Sequence, residues 1–370
     1  MSANAEPNST RPTIAILTVD DDKLFFRGNR DNFMDLLKLG KEAGYPIYIV
    51  TAKDLKLSAK KVIGYTFDFE QKVWVQQWFP LPNVIYNRIP LREDELAPSV
   101  QRKIDECLKH PNIRIFNPYF FNKWNLFEWL RKSKTTRPFI PLTRRMTSST
   151  ELGKQLLKHP FLFLKPESGK AGAGIMTIKY QPAKPLPFKL QIQNKKKSST
   201  YRCATIGKLW ARIKKEAGSM RYIVQQGIEL VSTNRRPYDL RVLVQKNQKG
   251  QWDISGVGAR VAGSSSITTH VPRGGSIEDP VKLLEASFGP EGSKRILVRA
   301  KNTALLIARQ IERGSGYLLG EMSMDLGIDQ QGGVWFFEAN SKPMKFDEPH
   351  IRKRSLERIF QYSHFLVKAK

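Results

Sequence analysis

Cysteines and long apolar runs are both scarce in this sequence. Cys107 and Cys203 are the two cysteines among 370 residues, and they lie far apart. A disulfide framework and a cysteine-based zinc site are therefore excluded, and a reducing compartment is the simplest expectation. No apolar run approaches the roughly 20 residues that a membrane span needs. The polar stretch 1–11 lacks the apolar core of a signal peptide, so we expect a cytoplasmic protein.

Acidic residues are also scarce, at 34 against 62 lysines and arginines, which gives a formal net charge of +28. Such an excess predicts an acidic partner: a nucleic acid, an anionic membrane surface, an acidic polymer or a phosphorylated ligand. Hydrophobic residues make up 40% of the chain and aromatic residues 10%, which excludes disorder throughout and collagen-like sequence. A chain of this length predicts two or three domains.

The N-terminal segment 1–116 has the pattern of an α/β domain. An apolar run at 13–19, a helical pattern at 31–44 and a second apolar run at 45–50 predict a β-α-β unit, with Gly44 just after the helix. The same segment predicts a hairpin from strands 62–69 and 72–78, a strand at 83–87 and a helix at 99–110.

Mixed strands and helices over the rest of the chain predict two α+β subdomains, 117–220 and 221–370. The predicted helices are 124–132, a helix capped by Thr150 that ends at Lys158, 205–217, 294–312 and 350–368. The predicted strands are 161–165, 174–180, 221–226, 239–245, 252–262, 320–328 and 333–338, with a loop or strand pair at 181–200.

A glycine-rich segment, LKPESGKAGAGI at 164–175, lies between two predicted strands. Its glycines allow backbone N–H groups to approach phosphate oxygens, and Lys165 would add a positive charge. A P-loop or a dinucleotide loop would lead into a helix, whereas a strand follows here. A strand–loop–strand unit that covers phosphates is the functional interpretation. An ordinary hairpin turn is equally compatible with the loop alone.

Three oxygen-bearing side chains, those of Asp325, Glu338 and Asn340, lie on two predicted strands joined by a turn at Gly332-Gly333. The two carboxylates can lie side by side, and Asn340 faces the same side as Glu338 because it is two residues further on. Converging oxygens are the donors that Mg²⁺ prefers, together with phosphate. The alternative is a buried acidic pair neutralised by arginine or lysine.

Two further segments are candidates for contacts with a ligand. The apolar strand in 223–230 leads to a polar turn, where Gln226 and Ile228 could offer backbone groups to an adenine edge; a simple strand end is the alternative. Asp239 and Arg241 share one strand face. Arg241, Arg260 and Arg273 could jointly bind phosphate or carboxylate oxygens, or belong to a solvated charged face.

The ordered motifs resemble those of the ATP-grasp superfamily, and more narrowly those of the YheC/YheD-type endospore coat-associated proteins. The superfamily resemblance is carried, in order, by LKPESGKAGAGI, VQQGIEL, YDLRVLV, GEMSMDLGID and VWFFEANSKP. The narrower resemblance is carried by FFRGNRDNF, VIYNR, LLGEMSMDLGID and FFEANSKPMKFDEP. It covers nearly the whole chain, and the C-terminal block is its most specific part.

This resemblance implies ATP between two α+β subdomains that follow an N-terminal α/β domain. It implies phosphate contacts from Lys165, from an earlier lysine, Lys123, and from the loop residues Ser168, Gly169, Gly172 and Gly174. It implies an adenine hinge at Gln226, Gly227 and Ile228, where many relatives have glutamate in place of Gln226, and a ribose contact from Glu229 or Asp239. It implies magnesium ligands at Asp325, Glu338 and Asn340, and places Arg241 and Arg260 near the γ-phosphate and the reaction intermediate.

The implied activity is an ATP-dependent ligase that joins a carboxylate to an amine or similar nucleophile through an acyl phosphate, in association with the spore coat. The substrate would be an unknown carboxylate, for which an acidic peptide or polymer is one candidate. One alternative is a nucleotide-binding coat protein without catalysis. Another is a basic protein that binds nucleic acid or an acidic polymer through Lys195–Lys197 and the basic helix at 350–368.

Overall fold

The computed structural model describes residues 11–168, 174–193, 198–263 and 274–369. Gly169, Gly172, Lys195–Lys197 and Arg273 lie outside the described residues. The helices are α1 (Arg30–Glu42), α2 (Arg92–Glu95), α3 (Pro98–Lys109), α4 (Lys123–Arg131), α5 (Ser149–Lys158), α6 (Ile206–Ala217), α7 (Pro280–Ser315) and α8 (Pro349–Lys368), with a short 3₁₀-helix at Arg137–Phe139.

The strands fall into three larger sheets and one short two-stranded ribbon within the described ranges. They are β1 (Ile14–Thr18), β2 (Asp20–Asp21), β3 (Phe25–Phe26), β4 (Ile47–Thr51), β5 (Lys61–Asp68), β6 (Val73–Pro80), β7 (Val84–Asn87), β8 (Arg114–Phe116), β9 (Thr143–Arg145), β10 (Phe161–Pro166), β11 (Met176–Tyr180), β12 (Phe188–Gln193), β13 (Ser198–Cys203), β14 (Tyr222–Gln226), β15 (Ser232–Thr233), β16 (Arg236–Lys246), β17 (Trp252–Val261), β18 (Ser276–Glu278), β19 (Glu321–Ile328) and β20 (Val334–Asn340).

The first sheet has the order β6-β5-β4-β1-β7-β8. Strands β4, β1, β7 and β8 are parallel, and β5 and β6 extend the sheet as the predicted antiparallel hairpin. Every residue of β1, β4 and β7 is buried, as expected for parallel strands covered on both faces. Helix α1 begins where the Asn29 side chain accepts a hydrogen bond from the Asn32 N–H, and it ends just before Gly44, whose φ is +67°.

The second sheet is antiparallel, in the order β13-β12-β11-β10-β14-β9, and packs one face on α5 and α6. The segment 181–200, predicted to be a loop or a strand pair, contains β12 and part of the paired β13. The predicted cap of α5 was wrong: Ser148, not Thr150, accepts the Glu151 N–H and begins the helix. Ser148 is extended, the backbone conformation that an N-cap residue adopts.

The third sheet is antiparallel, in the order β18-β17-β16-β19-β20, and packs one face on α4 and α7. The predicted start of α7 at residue 294 was wrong, because the helix begins at Pro280. Gly289, with a φ of +70°, and Pro290 interrupt it. Gly289 and Pro290 interrupt the helical pattern of the sequence. Both halves of α7 nevertheless bury residues against the third sheet.

The predicted fold class, α/β followed by α+β, is confirmed. The basic C-terminal helix α8 packs on the first sheet, where Ile359, Phe360 and Leu366 join the core beside α1. Cys107 is buried and Cys203 is partly buried, and neither forms a disulfide. Across the described ranges, no helix has the length and apolar character of a membrane span.

Buried ion pairs join the first sheet to the end of the third. Lys342, just after β20, donates a hydrogen bond to Glu95 of α2, and both side chains are almost fully buried. Arg88 contacts Glu321 of β19 at 3.2 Å, and the Tyr86 hydroxyl donates to the same carboxylate. Burial lowers the pKa of Lys342 to about 8, although Glu95 opposes this effect.

Candidate functional site

A cleft of about 460 Å³ separates the second and third sheets. Each sheet turns its apolar face to its helices, so the other faces, lined by alternate residues of the strands, meet across the cleft. Phe161, Phe163 and Lys165 reach it from β10, and Asp239 reaches it from β16. This volume is in the range of small-molecule sites.

Lys165 occupies the floor of this cleft. Its Nζ atom donates to Oε1 of Gln225 at 2.7 Å and lies 5.5 Å from the ring centres of Phe163 and Phe337. Burial lowers its pKa to about 8, while the nearby carboxylate of Glu338 opposes the shift. An anion that enters the cleft would stabilise the charged form of this buried lysine.

The predicted hinge lies at the edge of the cleft, where β14 ends. The backbone of Gln226 donates to Leu142 O at 2.8 Å, and its side-chain oxygen accepts from Leu142 N at 3.3 Å. The Gly227 N–H donates to Phe161 O at 2.8 Å, and a Cβ at residue 227 would overlap the Phe161 ring. Gln226, Ile228 and Glu229 line the cleft. Because residue 227 is glycine, the backbone between them can pack directly against the Phe161 ring.

Asp325 and Glu338 are directly paired across β19 and β20. The register shifts between Asp325 and Leu326, so that Phe337 is the extra residue of β20 and also lines the cleft. Asn340 pairs with Ser323, two residues further along each strand. The three predicted oxygen donors therefore lie on adjoining positions of one hairpin.

Both carboxylates are already paired with cations. Arg241 on the neighbouring strand β16 contacts Asp325 at 2.9 Å and donates to Ser323 Oγ at 3.0 Å. Lys123, at the start of α4, donates to Oε1 of Glu338. The two carboxylates are therefore neutralised by cations, as in the alternative given above. They are not sealed in an apolar core, because Asp325 and Glu338 both line the cleft.

Arg260 lies on β17, diagonally opposite Arg241. Arg241 pairs with Gly258, and Arg260 is two residues further along β17. Its Nε atom is buried without a hydrogen-bond partner among the described residues. Burial, and then the positive charge of Arg241, lower the pKa of Arg260. Neither arginine is among the described residues that line the cleft, but their strand partners are: Asp239 pairs with Arg260, and Asp325 pairs with Arg241.

The donor set fits magnesium held jointly with phosphate. No group of three or more His, Cys, Asp or Glu side chains suited to a metal occurs in the described part of the chain, so a site built by the protein alone is not indicated there. Two carboxylates and one amide oxygen, however, are hard donors, and Mg²⁺ commonly keeps waters and phosphate oxygens as its other ligands. Phosphates would also offer Lys123 and Arg241 a new partner.

Ser168 and Gly174 are the two predicted loop residues that the structure describes, and neither is among the described residues that line the cleft. Ser168 is exposed at the end of β10. Gly174 has a φ of +71°, its carbonyl accepts from the Tyr222 hydroxyl at 2.9 Å, and a Cβ there would meet that hydroxyl. The predicted hairpin of β10 and β11 around the loop is confirmed by the pairing of Leu164 with Met176.

Gln225 and Arg235 are among the cleft residues that the sequence analysis missed. Gln225 holds Lys165 and itself donates to Thr143 Oγ1 at 2.9 Å; the signal was a polar residue at an inward position of an otherwise apolar strand. Arg235 lines the cleft from the turn between β15 and β16, where Asn234 and Arg235 both have positive φ. The Asn-Arg pair between two strands was the available turn signal.

The comparisons agree with this architecture. A family model described as "YheC/D like ATP-grasp" matches residues 112–366. The chain is 29% identical over 343 residues to the endospore coat-associated protein YheD of Bacillus subtilis (strain 168), with 90% of this chain and 73% of the relative covered. It is 21% identical over 334 residues to YheC of the same organism, with 89% of each covered.

A solved structure, D-alanyl-alanine synthetase A from Vibrio cholerae O1 biovar eltor str. N16961, superposes with a TM-score of 0.55 at 14% identity and covers 97% of both chains. At that identity the likeness shows the fold alone. Since the family model covers well over half of the residues, the chain belongs to the YheC/D-like ATP-grasp family.

Proposed function

We propose that this protein binds Mg·ATP in the cleft between the second and third sheets and uses it to join a carboxylate to an amine or similar nucleophile. One observation carries the proposal: Lys165 and the paired carboxylates of Asp325 and Glu338 line the same cleft. A positive group for phosphate and two hard oxygen donors are the pair of features that a metal–triphosphate needs.

The adenine end would lie against the hinge, Gln226 to Ile228, between Phe161 and the third sheet, with Glu229 or Asp239 near the ribose. Lys165 and Lys123 would contact the phosphates, together with the loop that contains Ser168, Gly169, Gly172 and Gly174. Because Lys123 now holds Glu338 and Arg241 now holds Asp325, phosphate entry would transfer both cations from carboxylate to phosphate. Asp325, Glu338 and Asn340 would then be available to Mg²⁺.

In the proposed reaction a substrate carboxylate attacks the γ-phosphorus of ATP, and ADP leaves with the electrons of the broken bond. An amine then displaces inorganic phosphate from the acyl phosphate. Mg²⁺ held by Asp325, Glu338 and Asn340 would supply positive charge against the triphosphate. Arg241 and Arg260 would stabilise the developing negative charge, since they lie side by side and Arg260 has an unfilled donor.

Calorimetry with ATP, with and without Mg²⁺, tests the binding step, and coupled ADP release over amino acids, acidic peptides and cell-wall fragments tests the reaction. We expect Mg²⁺-dependent ATP binding and ADP release with one class of carboxylate. Absence of ATP binding would reject the site, whereas binding without ADP release from any acid would reject the ligase.

A second candidate is a nucleotide-binding protein without catalysis. It is favoured by the ion pairs that already neutralise Asp325 and Glu338, because such pairs give a stable site without a metal. ATP binding that is indifferent to Mg²⁺ would support it. For either candidate, the names of the relatives favour an association with the endospore coat. The division 1–116, 117–220 and 221–370 is the domain plan we propose.

A further inference from the structure

A groove on the outer side of α7 lies away from the nucleotide cleft. It has a volume of about 490 Å³ and runs beside the 3₁₀-helix Arg137–Phe139. The inward side of α7, including Ile296, Ala300 and Ile307, is buried against the third sheet. The cleft lies on the opposite face of that sheet, so the groove is separate from the proposed ATP site.

The floor of this groove is apolar. Phe139 and Leu306 are partly buried, and Val298 is 58% exposed. An exposed aliphatic side chain in a concave site, between two partly buried apolar neighbours, offers area that a partner can bury.

The rim of the groove is basic. From Gly292 to Ile311 the helix carries no aspartate or glutamate, and its cations are all exposed: Lys294, Arg295, Arg299, Lys301 and Arg309. Lys294 contacts Glu291 at 2.8 Å, but within the described ranges neither Arg295 nor Arg299 has an ion-pair partner. Arg295 and Arg299 are one helical turn apart and border the groove together.

We propose that this groove docks an acidic amphipathic helix of a partner protein. The apolar floor would receive the partner's aliphatic side chains, and its carboxylates would pair with Arg295 and Arg299. The distance from Lys294 to Leu306 along α7 is about 18 Å, enough for roughly three turns of a docked helix. A nucleic acid would use the basic rim for its phosphates and leave the aliphatic floor without a partner, which is why a peptide is favoured.

Fluorescence anisotropy can test this with two labelled peptides of about 18 residues, each made of glutamate and leucine. One places its leucines at i, i+3, i+4 and i+7, and the other has the same composition without an apolar face. We expect the full chain to bind the amphipathic peptide at least about tenfold more tightly. Equal binding of the two peptides would overturn the proposal, because only charge would then be recognised.

Substitutions locate the binding. Arg295→Glu with Arg299→Glu should weaken the amphipathic peptide by at least about tenfold, and Val298→Asp should weaken it through the apolar floor. Lys208→Glu with Lys215→Glu, on the exposed face of α6, makes the same change in net charge and should cost less than about threefold. Equal losses in the two double variants would overturn the proposal.

A labelled DNA duplex separates the two classes of partner. If DNA binds more tightly than the amphipathic peptide, and Arg295→Glu with Arg299→Glu abolishes that binding, the groove is a nucleic-acid surface and the peptide proposal is wrong. All substituted residues are exposed and remote from the cleft, so urea unfolding of the same variants, which needs no ligand, reports their folding. A failure of ATP binding in the unsubstituted chain would concern the proposed function and leave the peptide result intact.

Discussion

Asp325 and Glu338 lie opposite each other on β19 and β20, yet each is paired with a cation from a different element. Arg241 comes from the adjacent strand, and Lys123 comes from the start of α4. Two like charges at neighbouring positions would repel, and the two cations remove that cost. The arrangement also means that a metal ion must compete with, or replace, those pairs.

Neutral substitution of these carboxylates should therefore separate metal-dependent binding from stability. We expect Asp325→Asn and Glu338→Gln each to lower Mg²⁺-dependent ATP affinity by at least about tenfold, since a hard anionic donor is lost. Asp325→Asn should also lower the free energy of unfolding by about 1–2 kcal/mol, because Arg241 loses its charged partner. Calorimetry and urea unfolding measure the two effects. Asp253→Asn, which breaks the more exposed Arg358 pair, is the control and should leave ATP affinity unchanged.

Removal of the cleft lysine should affect the phosphates directly. Lys165→Met should weaken ATP binding by roughly ten- to a hundredfold, because a charge-assisted contact of about 1.5–3 kcal/mol is lost. Lys189→Met, on β12 and outside the cleft lining, should bind ATP as the parent does. Calorimetric titration decides the matter, and equal affinities in all three proteins would show that Lys165 does not contact the nucleotide.

The pKa of Lys165 predicts how ATP affinity depends on pH. Its value of about 8 in the free protein rises when phosphates bind, since their negative charge favours the ammonium form. ATP affinity should therefore stay nearly level below pH 8 and fall above it, by up to about tenfold per pH unit. Lys165→Arg keeps its charge over this range and should flatten the profile. A profile above pH 8 that is the same for both proteins would assign the pH dependence to another group.

The local sequence pattern was sufficient for most helices and strands. The apolar runs that became β1 and β4, and the Gly332-Gly333 turn that pairs Asp325 with Glu338, are features of neighbouring residues. The hairpin around the glycine-rich loop was recognisable for the same reason. Positions of this kind need only the alternation of side chains and a turn.

What the pattern could not supply were partners distant in sequence. The pairing of Lys123 with Glu338, 215 residues apart, depends on how α4 packs beside the third sheet. The first half of α7 was hidden by Gly289 and Pro290, and the packing of α8 on the first sheet follows from tertiary contacts alone. Helix and strand propensity and hydrophobic periodicity describe neighbouring residues only, so they cannot predict contacts between distant segments.

The pair of Glu95 and Lys342, 247 residues apart, predicts a large stability effect. Glu95→Gln should lower the free energy of unfolding by about 3 kcal/mol, because it leaves a buried ammonium without its carboxylate. Glu95→Gln combined with Lys342→Met should recover much of that loss, since the uncompensated charge is removed. Urea unfolding of the parent, the single variant and the double variant tests this. A double variant no more stable than Glu95→Gln would contradict the explanation.

The position of α8 has a consequence for the order in which the molecule matures. The last strand of the first sheet ends at Phe116, but the helix that closes one side of that sheet begins at Pro349. During synthesis the apolar face around Ile14 and Ile16 leaves the ribosome covered in part by α1 and not yet by α8. The first sheet reaches its native burial only after α8 has emerged. A nascent chain stalled before α8 should therefore recruit chaperones through the exposed apolar face of this sheet.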